Sequence, residues 1–217
     1  KPILFGYWFV LSLHQAIAFS KAYHFDPGRW GPYGDARGFH TLGEKLAVNE
    51  GFPFGLDTDF YLALLVPVYK LFGPAYLLGA ELSILMFAFS CIVFLKIMQQ
   101  FGIVRHRLPA LITFGALPNI VLIGSTTLRE SYQLFFFMLA VYFGVEMHKK
   151  RGMNAYIIAV IASALIMGFF HKALIIYSLA LIMLLLFFTH QPVPHPWNMK
   201  KLRLAGLLVI PMVLAGL

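Results

Sequence analysis

Acidic residues are scarce in this chain: nine Asp and Glu stand against seventeen Lys and Arg, and only 12% of the residues are charged. Soluble domains carry about a quarter of their residues charged, so a water-facing globule is excluded. There is one cysteine, Cys91, in the middle of an apolar segment. It excludes an intramolecular disulfide and says nothing about redox compartment. Apolar and polar residues do not alternate at strand spacing, which excludes a membrane β-barrel. An A-x-A-like cleavage site is missing after the first apolar run, so that run reads as a first transmembrane helix rather than a secretory signal.

What is present is apolar sequence, 60% of the chain. Runs at 2–20, 75–95, 109–126, 131–147, 155–170 and 173–189, with another from about 204, approach the length that crosses about 30 Å of hydrocarbon at about 1.5 Å per residue. The expected fold is all-α: a polytopic transmembrane helix bundle with a long extracytoplasmic first loop, 21–57, carrying juxtamembrane helices. Residues 1–217 read as a single transmembrane domain. The chain opens on "KPILFGYW" without Met and stops inside an apolar run, so a longer protein, truncated at the C-terminus, is expected.

Orientation follows from basic loops, which mark the cytoplasmic side. Three qualify: Lys96 with Arg105 and Arg107, "KKR" at 149–151, and Lys200 with Lys201 and Arg203. If "TDFYLALLVPVYKLFG", 58–73, crossed the membrane, all three would fall outside. That segment is short, contains Pro67 and Lys70 and starts beside Asp59, so it reads as an interfacial helix. The basic loops are then cytoplasmic, and the first loop, the "STTLRE" turn at 125–130 and the "HK" turn at 171–172 share the opposite face. The net charge of +8 sets orientation, and nucleic acid is not an expected partner.

On that outer face the polar residues gather: Asp35, Arg37, His40 and Glu44 from the first loop, Arg129 and Glu130 from the second, His171 and Lys172 from the third. Glu81, roughly 9 Å into the membrane by helical rise, joins them with Arg129 as its expected partner. Each has a plain structural reading beside a chemical one. Asp35 serves as an N-cap for a helix expected over 36–49, or as a general base or metal ligand. His40 joins Asp35, with His24 and Asp26 nearby, as a candidate ligand set for a divalent metal ion, although no standard zinc spacing is present. Arg129 and Glu130 form a pair at a helix start, or Arg129 presents its planar fork to a phosphate. His171 and Lys172 turn a helical hairpin, or receive a phosphate headgroup. His14 and Asn119 read as packing residues.

Several enzyme classes drop out. No H-E-x-x-H occurs for a membrane zinc protease, "IGSTT" lacks the second Gly of a rhomboid-like G-x-S-G, and no His pair is placed to hold haem. Cys91 lacks the surface His and Arg of an exosortase-like thiol site.

The order of elements resembles the N-terminal half of the GT-C superfamily of polytopic glycosyltransferases, such as protein O-mannosyltransferases and lipid A aminoarabinose transferases. The matching stretches are "DARGFHTLGEKLA", "DFYLALLVPVYKLFG", "GALPNIVLIGSTTLRES" and "GFFHKALIIYSLALIML". The resemblance implies a transferase that takes a sugar from a polyprenyl-phosphate donor at the extracytoplasmic face of a bacterial inner membrane. Carried over by position, Asp35 is the loop carboxylate that activates the acceptor or holds a metal, and Arg129 meets the donor phosphate. Lys70 matches the lysine of the family's interfacial helix, with His171 and Lys172 as further phosphate partners and Arg37, His40, Glu81 and Glu130 in support. The second acidic motif of several such families is not evident. Two alternatives remain: a polysaccharide polymerase of the EpsG or Wzy kind, and a noncatalytic subunit that meets other membrane subunits and lipids.

Overall fold

The computed structural model describes residues 1–23, 33–49, 53, 55–149 and 154–189, which form helices with no strand among the described residues. His24, Asp26, Lys150, Arg151, the basic loop near 200 and the run from 204 lie outside the described residues.

Among the described residues, two helices are long and apolar enough to cross a membrane, α1 (Pro2–Tyr23) and α4 (Tyr76–Gln100). A third counts if α5 (Arg107–Ala116) and α6 (Pro118–Gly124) form one broken span, bent by 65°. The expected continuous run at 109–126 is thus two helices. Proline cannot donate a backbone hydrogen bond and disfavours helical geometry in the residue before it; Leu117 sits at φ −58°, ψ 127°. The end of α5 is left with carbonyls that no following turn pairs, and α1 supplies a partner. His14 Nε2 lies 3.0 Å from the Gly115 oxygen, fully buried and stacked on Phe87 at 4.1 Å. The packing role expected of His14 is what the fold gives it. Gly115 is what allows the approach, since a Cβ there would come within 2.3 Å of Val10 Cγ1.

The remaining helices are less apolar or shorter. α7 (Glu130–Lys149) has the length of a span but carries Gln133, Glu146, His148 and Lys149. α8 (Asn154–Phe169) and α9 (Leu174–Thr189) have 16 residues each.

Contacts fix the direction of each helix. Ser83 Oγ of α4 donates to Leu128 O just before α7 at 3.1 Å, while Gln100 at the far end of α4 donates to Glu146 near the far end of α7. α4 and α7 therefore run side by side in the same direction, and α5 with α6 returns between them. α8 runs back along α7: Phe143 meets Tyr156 at one end, and Tyr132 meets Phe170 at the other. The turns at 125–129 and 169–173 consequently lie at the same end.

Across that end lie α2 (Tyr33–Val48) and α3 (Thr58–Phe72). α3 buries Tyr61, Leu62, Leu65, Val66 and Tyr69, a stripe at helical spacing, and exposes Leu71 and Phe72. Its 15 residues reach roughly 22 Å, too short for a span. The buried stripe packs on Phe39 of α2, Leu128, Tyr132 and Phe170. This cluster ties the two crossing helices to the ends of α7 and α8.

Candidate functional site

Helix ends collect unpaired backbone groups and are where charged side chains settle. At the end covered by α2 and α3, the pairing centres on Arg129. Its guanidinium forms an ion pair with Asp57 and stands over the Phe39 ring at 5.4 Å. The two side chains are 12% and 26% exposed, buried enough for the pair to matter and open enough to be reached.

Asp57 occupies the N-cap position of α3 but makes no side-chain cap bond; its carboxylate goes to Arg129 instead. Its backbone is at φ 70°, ψ −120°, a region that suits glycine and costs another residue on the order of 1–3 kcal/mol. Two bonds hold it there: the ion pair, and its own N–H donated to the Phe169 carbonyl at 2.7 Å. Residues 57, 129 and 169 thus meet through one aspartate.

Glu130, the first residue of α7, lies within electrostatic reach of Arg129, Asp35 and His171. Glu130 is thus the group through which Asp35, Arg129 and His171, from three of the expected outer loops, are linked electrostatically. Arg129 Nε and Glu130 Oε2 are both buried with no hydrogen-bond partner among the described residues. Leaving such a group unpaired costs about 1–3 kcal/mol, which a polar ligand atom would recover. Asp35 itself is exposed and lies in the first turn of α2. The helix starts at Tyr33 rather than after Asp35, so Asp35 meets the positive end of the helix dipole from inside the first turn.

His171 Nδ1 accepts the Ala173 N–H at 3.2 Å, which closes the turn into α9. That nitrogen must keep a lone pair, so the proton of the neutral ring is on Nε2. Lys172 beside it is exposed.

The other expected residues lie elsewhere. Glu81 accepts from Gln15 of α1, not from Arg129; helical rise carries it along α4, whereas Arg129 turns towards α3. Lys70 sits at the opposite end of α3 from Asp57, roughly 20 Å away by helical rise. It lines an open cavity of about 540 Å³ with Ala47, Val48, Tyr69, Gly73 and Pro74. His40 Nδ1 hydrogen-bonds to the Tyr69 hydroxyl at 2.9 Å, and its ring stands edge-on to Tyr69 and Tyr76. Burial holds His40 below its ordinary pKa, partly offset by Glu44. Burial likewise pushes the Tyr69 hydroxyl up, reinforced by Glu44. Arg37 is exposed on α2.

Among the described residues no three His, Cys, Asp or Glu side chains converge, and His40 Nδ1 is engaged by Tyr69; His24 and Asp26 of the expected ligand set lie outside the described residues, and no step below passes through a metal.

Sequence reasoning passed over Asp57. The local signal was "GLDTD", an aspartate at the N-cap position of a helix whose side chain was free to serve a distant cation. No family model, curated protein or solved structure matches this chain.

Proposed function

We propose that this chain is a polytopic membrane glycosyltransferase of GT-C-like design, acting on a polyprenyl-phosphate-linked sugar at the extracytoplasmic face of a bacterial inner membrane. The observation that carries the reading is the partly buried Arg129–Asp57 ion pair, with Glu130 beside it within electrostatic reach of Arg129, Asp35 and His171, at the end of the helices opposite Lys149.

In the reaction an acceptor hydroxyl attacks the anomeric carbon. A new C–O bond forms, the sugar–phosphate C–O bond breaks, the polyprenyl phosphate leaves with the electron pair, and Asp35 takes the hydroxyl proton. Charge grows on the leaving phosphate, so a guanidinium beside it lowers the barrier. General-base help from a placed carboxylate contributes typically 10²–10⁴-fold. Arg129 takes the phosphate, with Lys172 and His171 Nε2 alongside. Lys70 lies too far along α3 for the same phosphate and suits a neighbouring lipid headgroup. A polysaccharide polymerase would use the same donor chemistry on this face. The noncatalytic reading draws support from the Arg129–Asp57 pair, which satisfies part of the arginine without a ligand.

The test is transfer from a polyprenyl-phosphate-linked sugar by purified, reconstituted protein. Asp35→Asn is expected to lower the rate at least 100-fold while the protein stays folded and inserted; an unchanged rate would remove the assignment. Absence of transfer by the wild type in the presence of its membrane partners would favour the subunit.

A further inference from the structure

We propose that Asp57 is a built-in competitor for the phosphate seat on Arg129, so that a lipid phosphate enters by exchange with an internal carboxylate and releases the start of α3 from the α8–α9 turn. The inference rests on the reading of Arg129 as the phosphate-binding residue and adds how that residue is kept closed.

Four observations converge on it. The carboxylate pairs with Nη1 of Arg129 and leaves the buried Nε without a partner. A phosphate, with more oxygens to offer, engages both faces of the fork. The surroundings already hold carboxylates at Asp35, Asp57 and Glu130 against Arg129 and the exposed Lys172. An added phosphate is repelled by this group unless one carboxylate leaves. Asp57 is the one that has to leave, because it is the carboxylate paired with the Arg129 guanidinium, and its leaving costs α3 no cap bond. Its backbone also gains from leaving: φ 70° is tolerated only while Arg129 and the Phe169 carbonyl both hold it. The closed form is thus a two-state element that a phosphate biases.

The route of the signal is short. Asp57 N–H bonds to Phe169 O, and Phe60 one turn on packs edge-on against Phe169 and Phe170. Exchange at Arg129 therefore loosens the first turn of α3 and leaves its buried middle, Tyr61 to Tyr69, in place.

The experiment uses the full chain in phosphatidylcholine nanodiscs with a polyprenyl monophosphate carrying no sugar. Asp57→Asn and Asp57→Gly are expected to bind it about tenfold more tightly than wild type, as removal of a dominant closed state requires, and Arg129→Gln to lose binding. In the wild type, the ligand is expected to speed hydrogen exchange at the Asp57 amide, whose N–H is bonded to the Phe169 carbonyl. Wild-type binding with equal or weaker affinity in both Asp57 variants would overturn the competitor role and leave the phosphate reading intact. Wild-type binding without faster exchange at the Asp57 amide would do the same, whatever the folding of the variants. No binding by wild type or either Asp57 variant would overturn both.

Discussion

At one end of the α4–α7 pair the described charges are mostly basic, Lys96, Arg105, Arg107 and Lys149, and Glu146 accepts from Gln100. Lys149 donates to the Gln100 carbonyl, and Lys96 lies over the Tyr142 ring at 5.9 Å. At the other end Arg129 pairs with Asp57, and Glu130 lies within electrostatic reach of Arg129, Asp35 and His171, with Lys172 beside the last. An excess of one sign orients a membrane protein without needing any particular geometry. A group of mixed sign has no orienting value, and holding it partly buried is costly. The second end therefore needs another account, and the proposed binding of a lipid phosphate is one.

The largest effect should come from breaking the mixed end. Arg129→Gln leaves the half-buried Asp57 carboxylate without its partner, for a loss of roughly 1.5–3 kcal/mol, the usual worth of a charged hydrogen bond, together with loss of transfer. Lys149→Ala at the basic end should change neither thermal stability nor activity measurably, as for most exposed charges. Thermal unfolding of the two variants in detergent gives the comparison. Equal effects at both ends would dissolve the distinction.

A smaller effect should appear with pH. Because burial holds His40 below its ordinary value of 6.5, the folded state binds fewer protons than the unfolded state between the two values. Stability is then fully present above 6.5 and is lost as pH falls from there towards the folded value. Wild-type melting temperature should drop between about pH 7 and pH 5 by more than that of His40→Gln. Identical pH profiles would show that burial does not hold His40 neutral.

Much of this contrast was legible in the sequence. Apolar runs located the helices, and the shortness of 58–73 with Pro67 and Lys70 marked α3 as a helix lying across the others rather than among them. The basic loops predicted which turns share an end, and hydrogen bonds from Ser83 and Gln100 set the 125–129 turn at the end of α4 away from Gln100. What escaped was pairing over distance. Asp57 meets Arg129 and Phe169 only because α3 crosses two helix ends, and no local pattern encodes that crossing. Glu81 was assigned to Arg129 by depth alone, whereas its partner Gln15 comes from a helix far earlier in the chain. The α5–α6 break had a local cause in Pro118, but hydropathy runs through it unchanged. The start of α2 at Tyr33 escaped because Gly34 and Asp35 resemble a cap more than a first turn.

The central claim is that the two ends face opposite sides of the membrane, with the mixed-charge end outside. Single cysteines introduced at Lys70 and at Arg105, in a Cys91→Ala background, test it most directly with a membrane-impermeant thiol reagent on intact cells and on inverted vesicles. The account predicts labelling of position 70 only in intact cells and of position 105 only in inverted vesicles. Labelling of both from the same side would contradict it.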